Sequence, residues 1–141
     1  MPEATNTVEI ARPPAEVFAF LADATNERQW RSGIIDIARK SGDGVGTVYE
    51  HGVKGPFGRR VPADFEITAL DPERRIAFRT LAGPVRPEGS FELEPAAAGT
   101  RVTFTLRCTP TGMAKLMTPM VTKTMRSEVG QLERLREVLE G

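Results

Sequence analysis

The chain of 141 residues carries one cysteine, one histidine, one tryptophan and one tyrosine, and its 19 basic and 19 acidic residues cancel. Each scarcity removes a class of function. Cys108 has no partner for an internal disulfide, and with His51 as the sole histidine no H-E-x-x-H or C-x-x-C spacing exists, so neither metal nor cofactor is expected. No G-x-S-x-G elbow supports a Ser/His/Asp hydrolase, and Gly89-Ser90-Phe91 reads as part of a strand. The G-D-G-V-G run at 42–46 precedes a strand rather than a helix, which makes it a hairpin turn and not a phosphate cradle. A formal net charge of zero argues against nucleic acid as a partner. No apolar run approaches the roughly 20 residues that cross a bilayer, which leaves only peripheral membrane contact. The N-terminus MPEATNTVEI lacks the basic flank and apolar core of an export signal, so the expected location is cytoplasmic and reducing.

What is present reads as one domain over residues 1–141, since no linker, repeat or low-complexity tract interrupts the chain. Residues 8–12 alternate with strand period before the pair Pro13-Pro14, and Pro14 suits the first turn of a helix, where its missing N–H costs nothing. The helix predicted over residues 14–22 is apolar nearly all round and is expected to be buried. One or two further helical turns fit residues 23–29. From residue 34 to 109, short alternating runs separated by Gly, Pro and Asp turns predict consecutive antiparallel hairpins. Candidate strands lie at 34–40, 46–54, 61–69, 75–81, 85–94 and 100–109, which with the first makes seven. Parity puts Phe65 and Ile67, Ile76 and Phe78, Phe91 and Leu93, and Val102, Phe104 and Leu106 on a dry face. The spacing of Val121, Met125, Val129, Leu132, Leu135 and Leu139 predicts an amphipathic helix that covers it, with Pro119 at its start or at a kink after a turn over 113–117.

The order strand, proline-started helix, short helix and tryptophan over residues 8–30 resembles the opening of the START-like (SRPBCC) helix-grip superfamily and its polyketide cyclase/dehydrase family. The matching positions are Ile10, Pro13, Pro14, Val17, Phe18, Leu21, Asp23 and Trp30. G-V-G-T-V-Y-E-H-G-V-K-G at 44–55, the hairpin at 65–78, G-T-R-V-T-F at 99–104 and the closing Leu132, Leu135, Leu139 and Glu140 resemble it too. The resemblance covers residues 5–140. It implies an α+β fold in which a curved antiparallel sheet of about seven strands grips a long C-terminal helix, with a ligand cavity between them. Its motifs are turns and hairpins, so they carry fold and leave chemistry open.

Tyr49 and His51 share one face of their strand, and if that face is concave both project into the cavity and are the candidate catalytic pair for proton exchange. The plainer alternative makes His51 a strand residue at the rim. A single bulge in that strand would turn both outward. The candidate ligand-binding aromatics are Trp30, Tyr49, His51, Phe57, Phe65, Phe91 and Phe104, with Phe57 at the tip of an exposed hairpin as a lid or contact. Ordinary core packing is the plainer account of this set, and it is preferred for Phe78 and Phe104. Met113, Met117, Met120 and Met125 cluster more densely than packing asks for, and flexible thioethers suit a wall that adapts to apolar guests. The leading expectation is a protein that binds a small hydrophobic or aromatic molecule such as a lipid, quinone or polyketide. The alternatives are a cyclase/aromatase or dehydratase using the same cavity, and a protein-interaction or lipid-carrier module. Either a monomer or a homodimer, paired through a sheet edge or the terminal helix, fits the sequence.

Overall fold

The computed structural model describes residues 2–83, 85–109 and 112–141, the side chains at 56 and 112–114 excepted. Strand β1 (Glu3–Ile10) leads through Pro13 into helix α1 (Pro14–Ala22) and a short 3₁₀ helix (Ala24–Gln29). Strands β2 (Ile34–Ser41), β3 (Val48–Lys54), β4 (Arg60–Pro62), β5 (Phe65–Asp71), β6 (Arg75–Thr80), β7 (Glu88–Ala96) and β8 (Gly99–Arg107) follow. A 3₁₀ segment (Gly112–Met117) then enters α2 (Thr118–Gly130) and α3 (Leu132–Glu140). All pairings are antiparallel in the order β1-β8-β7-β6-β5-β3-β2, with β4 pairing β3 beside β5. This curved sheet with its covering C-terminal helix is the helix-grip fold. No helix among the described residues is long and apolar enough to cross a membrane.

Local chemistry explains most of the boundaries. Pro14 starts α1, and Asp23 ends it while its carboxylate accepts from the Thr25 N–H at 3.1 Å and so caps the 3₁₀ helix. Only Val17 and Leu21 of α1 are buried, whereas Ala15, Glu16 and Ala19 face solvent, so the helix is not enclosed as its composition suggests. It lies against β7 and β8 by one stripe. An eighth strand appears because the predicted 61–69 run divides at Ala63-Asp64. There the Asp64 side chain accepts the His51 N–H at 3.1 Å, a bond that a continuous ladder would have taken from the backbone.

The long terminal helix is interrupted at one residue, which divides it into α2 and α3. The chain turns at Gln131, whose N–H reaches back to the Glu128 and Val129 carbonyls, just after the weak helix former Gly130. Asn6 donates to the Val129 carbonyl at 3.0 Å, Arg12 to the Leu139 carbonyl at 2.9 Å, and the Ser32 N–H to the Gln131 side chain at 2.7 Å. These bonds fasten the cover to β1 and to the segment after the 3₁₀ helix.

Across the inner face the aromatic rings form a ladder. Tyr49 stacks on Phe65 at 5.2 Å, Phe65 meets Phe78 at 5.6 Å, Phe78 meets Phe91 at 6.4 Å, and Phe91 stacks on Phe104 at 4.4 Å. Trp30 closes the far end, edge-on to Phe91 and Phe104 at 5.9 and 6.0 Å. Burying rings of this size supplies much of the core's hydrophobic stabilisation.

Candidate functional site

A cavity of about 500 Å³ opens between the inner face of the sheet and α2. His51, Val53, Phe65, Phe78 and Leu106 form the sheet side, and Met117, Met120, Val121 and Met125 the helix side. Its size falls in the range of small-molecule sites, and most of this lining is aliphatic, aromatic or thioether.

One sector of the wall is charged. Glu27, Arg31 and Glu128 all line the cavity. The 3₁₀ helix carries Glu27, and the Trp30 and Arg31 N–H groups both donate to its carbonyl, so Arg31 comes back one turn over Glu27. The Arg31 Nη1 donates to Glu27 Oε1 at 3.0 Å, while its Nε and Nη2 donate to Glu128 Oε2 at 3.1 and 2.7 Å. Burial alone would lower the pKa of this guanidinium, but the two carboxylates outweigh burial and raise it above the ordinary arginine range. Arg31 is thereby a fixed cation that joins the segment after α1 to α2.

His51 sits beside this sector, 4 % exposed, its ring edge-on to Phe65 at 5.3 Å. The strand break at Ala63-Asp64 holds it. Its N–H donates to Asp64 Oδ1, its carbonyl accepts from the Ala63 N–H at 2.8 Å, and its Nδ1 lies 3.2 Å from the Ala63 carbonyl. A carbonyl only accepts, so Nδ1 bears the hydrogen and the neutral ring turns a lone pair outward at Nε2. Burial is the largest influence on His51 and lowers its pKa; the Arg31 charge also lowers it, against opposition from Glu27, the Ala63 carbonyl and Glu128. Two buried polar side-chain atoms among the described residues have no hydrogen-bond partner, Glu27 Oε2 and His51 Nε2. Both belong to residues of the cavity wall.

Of the residues singled out in the sequence, the cavity brings together His51, Phe65, Met117, Met120 and Met125. Tyr49 is inward and 2 % exposed, but its ring is spent on Phe65 and it does not reach the cavity wall. Trp30, Phe91 and Phe104 pack against one another behind that wall. Phe57 stands fully exposed at its turn and closes over nothing. The Met113 side chain lies outside the described residues. Phe78, assigned to the core, packs against it and also lines the cavity.

Glu27, Arg31 and Glu128 were not singled out. A signal for them exists: Glu27 and Arg31 are four apart around Trp30, and Glu128 falls between Met125 and Leu132 at the three-and-four spacing of the apolar stripe. No group of three or more His, Cys, Asp and Glu among the described residues is arranged to hold a metal.

The fold recurs in known proteins. The structure of TTHA0849 from Thermus thermophilus superposes with a TM-score of 0.80 at 25 % identity, covering 96 % of this chain and 95 % of that one. DR_A0006 from Deinococcus radiodurans gives 0.72 at 21 % identity, covering 98 % and 97 %. The di-domain ARO/CYC StfQ from the steffimycin biosynthetic pathway gives 0.79 at 10 % identity, covering 99 % of this chain and 50 % of that one, a likeness of fold alone. No curated protein matches the sequence. With a family model matching residues 1–140, the chain belongs to the polyketide cyclase / dehydrase and lipid transport family.

Proposed function

We propose that the chain binds a small, mostly apolar molecule with a polar end in the cavity under α2. The observation that carries this reading is the cavity itself: about 500 Å³ of largely apolar wall interrupted by the buried Glu27 and His51, the half-buried Arg31 and Glu128, and the exposed Lys54. Apolar walls supply affinity at about 25 cal/mol per Å² buried, and a few convergent polar groups set orientation. Family membership supports the same reading, since the family's description spans polyketide chemistry and lipid transport.

The test is thermal unfolding against fatty acids, quinones, flavonoids and polycyclic aromatic ketones. Trp30 emission is the second readout, because the Arg31 guanidinium carbon lies 6.0 Å from the Trp30 ring centre and a ligand meeting Arg31 perturbs it. A ligand at a hundred times its dissociation constant adds about 2.7 kcal/mol, a shift of several degrees. A saturable shift confined to one chemical class is expected. No shift with any member removes the reading.

A second reading is catalysis of the cyclase/aromatase or dehydratase type, favoured by His51, a residue of the cavity wall whose Nε2 has no hydrogen-bond partner among the described residues. In that reading His51 Nε2 takes a proton from the carbon between two carbonyls, the resulting enolate attacks a further carbonyl of the same chain, and the new alkoxide is protonated before water leaves. His51→Ala then abolishes turnover of a polyketide-like substrate. Under simple binding the same change alters affinity alone.

A further inference from the structure

The hydrogen-bond inventory of the charged sector narrows the ligand's chemistry, on the condition that the cavity binds a ligand at all. Glu27 is 7 % exposed and His51 4 % exposed, so neither side chain is satisfied by bulk solvent. Glu27 spends Oε1 on Arg31 and leaves Oε2 without a partner among the described residues. His51 spends its one ring N–H on the Ala63 carbonyl and leaves Nε2 likewise. Both atoms are acceptors, and both belong to residues of the same cavity wall.

Charge points the same way. The sector holds two carboxylates, Glu27 and Glu128, against the single guanidinium of Arg31, whose Nε, Nη1 and Nη2 are each already engaged with one of them; the cavity's other lining cation, Lys54, is exposed to solvent. Burial and the nearby Arg31 hold His51 toward its neutral form and add no compensating cation. A ligand carboxylate would bring a third negative charge and a further set of lone pairs to this sector. An ether or ketone would set lone pairs against lone pairs. A hydroxyl or a protonated amine supplies what both atoms lack, and a buried acceptor built to receive a donor discriminates strongly against the analogue without it.

We propose that the cavity selects apolar molecules by a hydrogen-bond donor, an alcohol, a phenol or an amine, seated between Glu27 Oε2 and His51 Nε2, and rejects carboxylates of the same shape. The site is a donor reader: its apolar wall accepts many skeletons, and its two acceptors choose among their polar ends.

Four fluorescent probes on one skeleton test this: hydroxypyrene, pyrenemethylamine, methoxypyrene and pyrenecarboxylate, titrated into the full chain near neutral pH. At least one donor probe is expected to bind about tenfold or more tighter than methoxypyrene, with pyrenecarboxylate weakest. The tighter of hydroxypyrene and pyrenemethylamine tells a neutral donor from a cationic one. In Glu27→Gln the amide oxygen can keep the Arg31 bond while its NH₂ replaces the Oε2 acceptor with a donor, so the advantage of the donor probes should fall toward onefold. His51→Phe, which keeps the ring packing on Phe65, should reduce it in part. Should the variants fail to fold, the wild-type series still decides. Equal binding of hydroxypyrene and methoxypyrene leaves the cavity reading intact and overturns the donor reading. Tightest binding of pyrenecarboxylate also overturns it and makes Arg31 the anchor. If none of the four binds, the underlying cavity reading falls and the donor reading with it.

Discussion

His51 is the residue on which the most depends. It is held by two backbone bonds and one ring bond at the Ala63-Asp64 break, and it is buried among Phe65, Glu27 and Arg31 in a form that resists protonation. The consequence for stability has a definite sign. In the unfolded chain the imidazole titrates near 6.5, and in the folded chain burial lowers that value. As pH falls through 6.5 the unfolded state takes up a proton that the folded state refuses, so stability is lost on acidification until the folded-state pKa is reached; above 6.5 both states are neutral and His51 adds no slope. Wild type should therefore lose more of its Tm between about pH 7.5 and 5.5 than His51→Phe does, the carboxylates common to both cancelling in the difference. Parallel Tm curves for the two proteins would show that folded His51 titrates like a free imidazole.

At the scale of elements, the terminal cover is the least economical part of the design. α2 ends on Gly130, which is exposed, has open space where a Cβ would stand, and does not occupy the left-handed backbone region. Nothing in its surroundings requires glycine, so the residue gives up helix propensity without steric return. Gly130→Ala should raise stability by about 0.5–1 kcal/mol, read as a higher urea midpoint at unchanged slope. A lower midpoint would mean that the turn at Gln131 needs glycine's backbone freedom. This element also shows how far sequence reading reaches. The α1 boundaries at Pro14 and Ala22 were legible because proline and Asp23 mark them chemically, and strand faces were legible because parity is a local property. The bulges on the β2–β3 pair fall at Ile35 and Lys40 of β2, which leaves β3 regular and keeps Tyr49 and His51 inward. The break between β4 and β5 was not legible, since it rests on an Asp64 side chain replacing a ladder bond from 13 residues away. The turn at Gln131 escaped for a related reason: its side chain is engaged by the Ser32 N–H, 99 residues away.

For the molecule as a whole, the cavity belongs to no single element, and that is why the candidate site was only partly readable. Arg31 and Glu128 meet across 97 residues, so each reads alone as an ordinary surface charge, and only the closed fold makes them a half-buried pair against the wall. The methionines were readable because Met117, Met120 and Met125 are concentrated in one segment. The aromatics divided between wall and core by depth behind the sheet surface, a quantity that periodicity does not carry. A cavity of about 500 Å³ that opens to solvent is also a cost to a chain of this size, because its apolar lining forgoes the burial and packing that a closed core would give it. Filling it therefore separates binding from folding. Val121 is 7 % exposed and faces the cavity from α2, opposite the sheet. Val121→Phe should occupy space the ligand needs, weaken binding of every responsive probe by about tenfold or more, and leave Tm equal to or above that of wild type. A Tm lowered by several degrees would mean that the cavity closes in solution and the larger ring is overpacked. Undiminished affinity with a preserved Tm would place the ligand outside the space between sheet and α2.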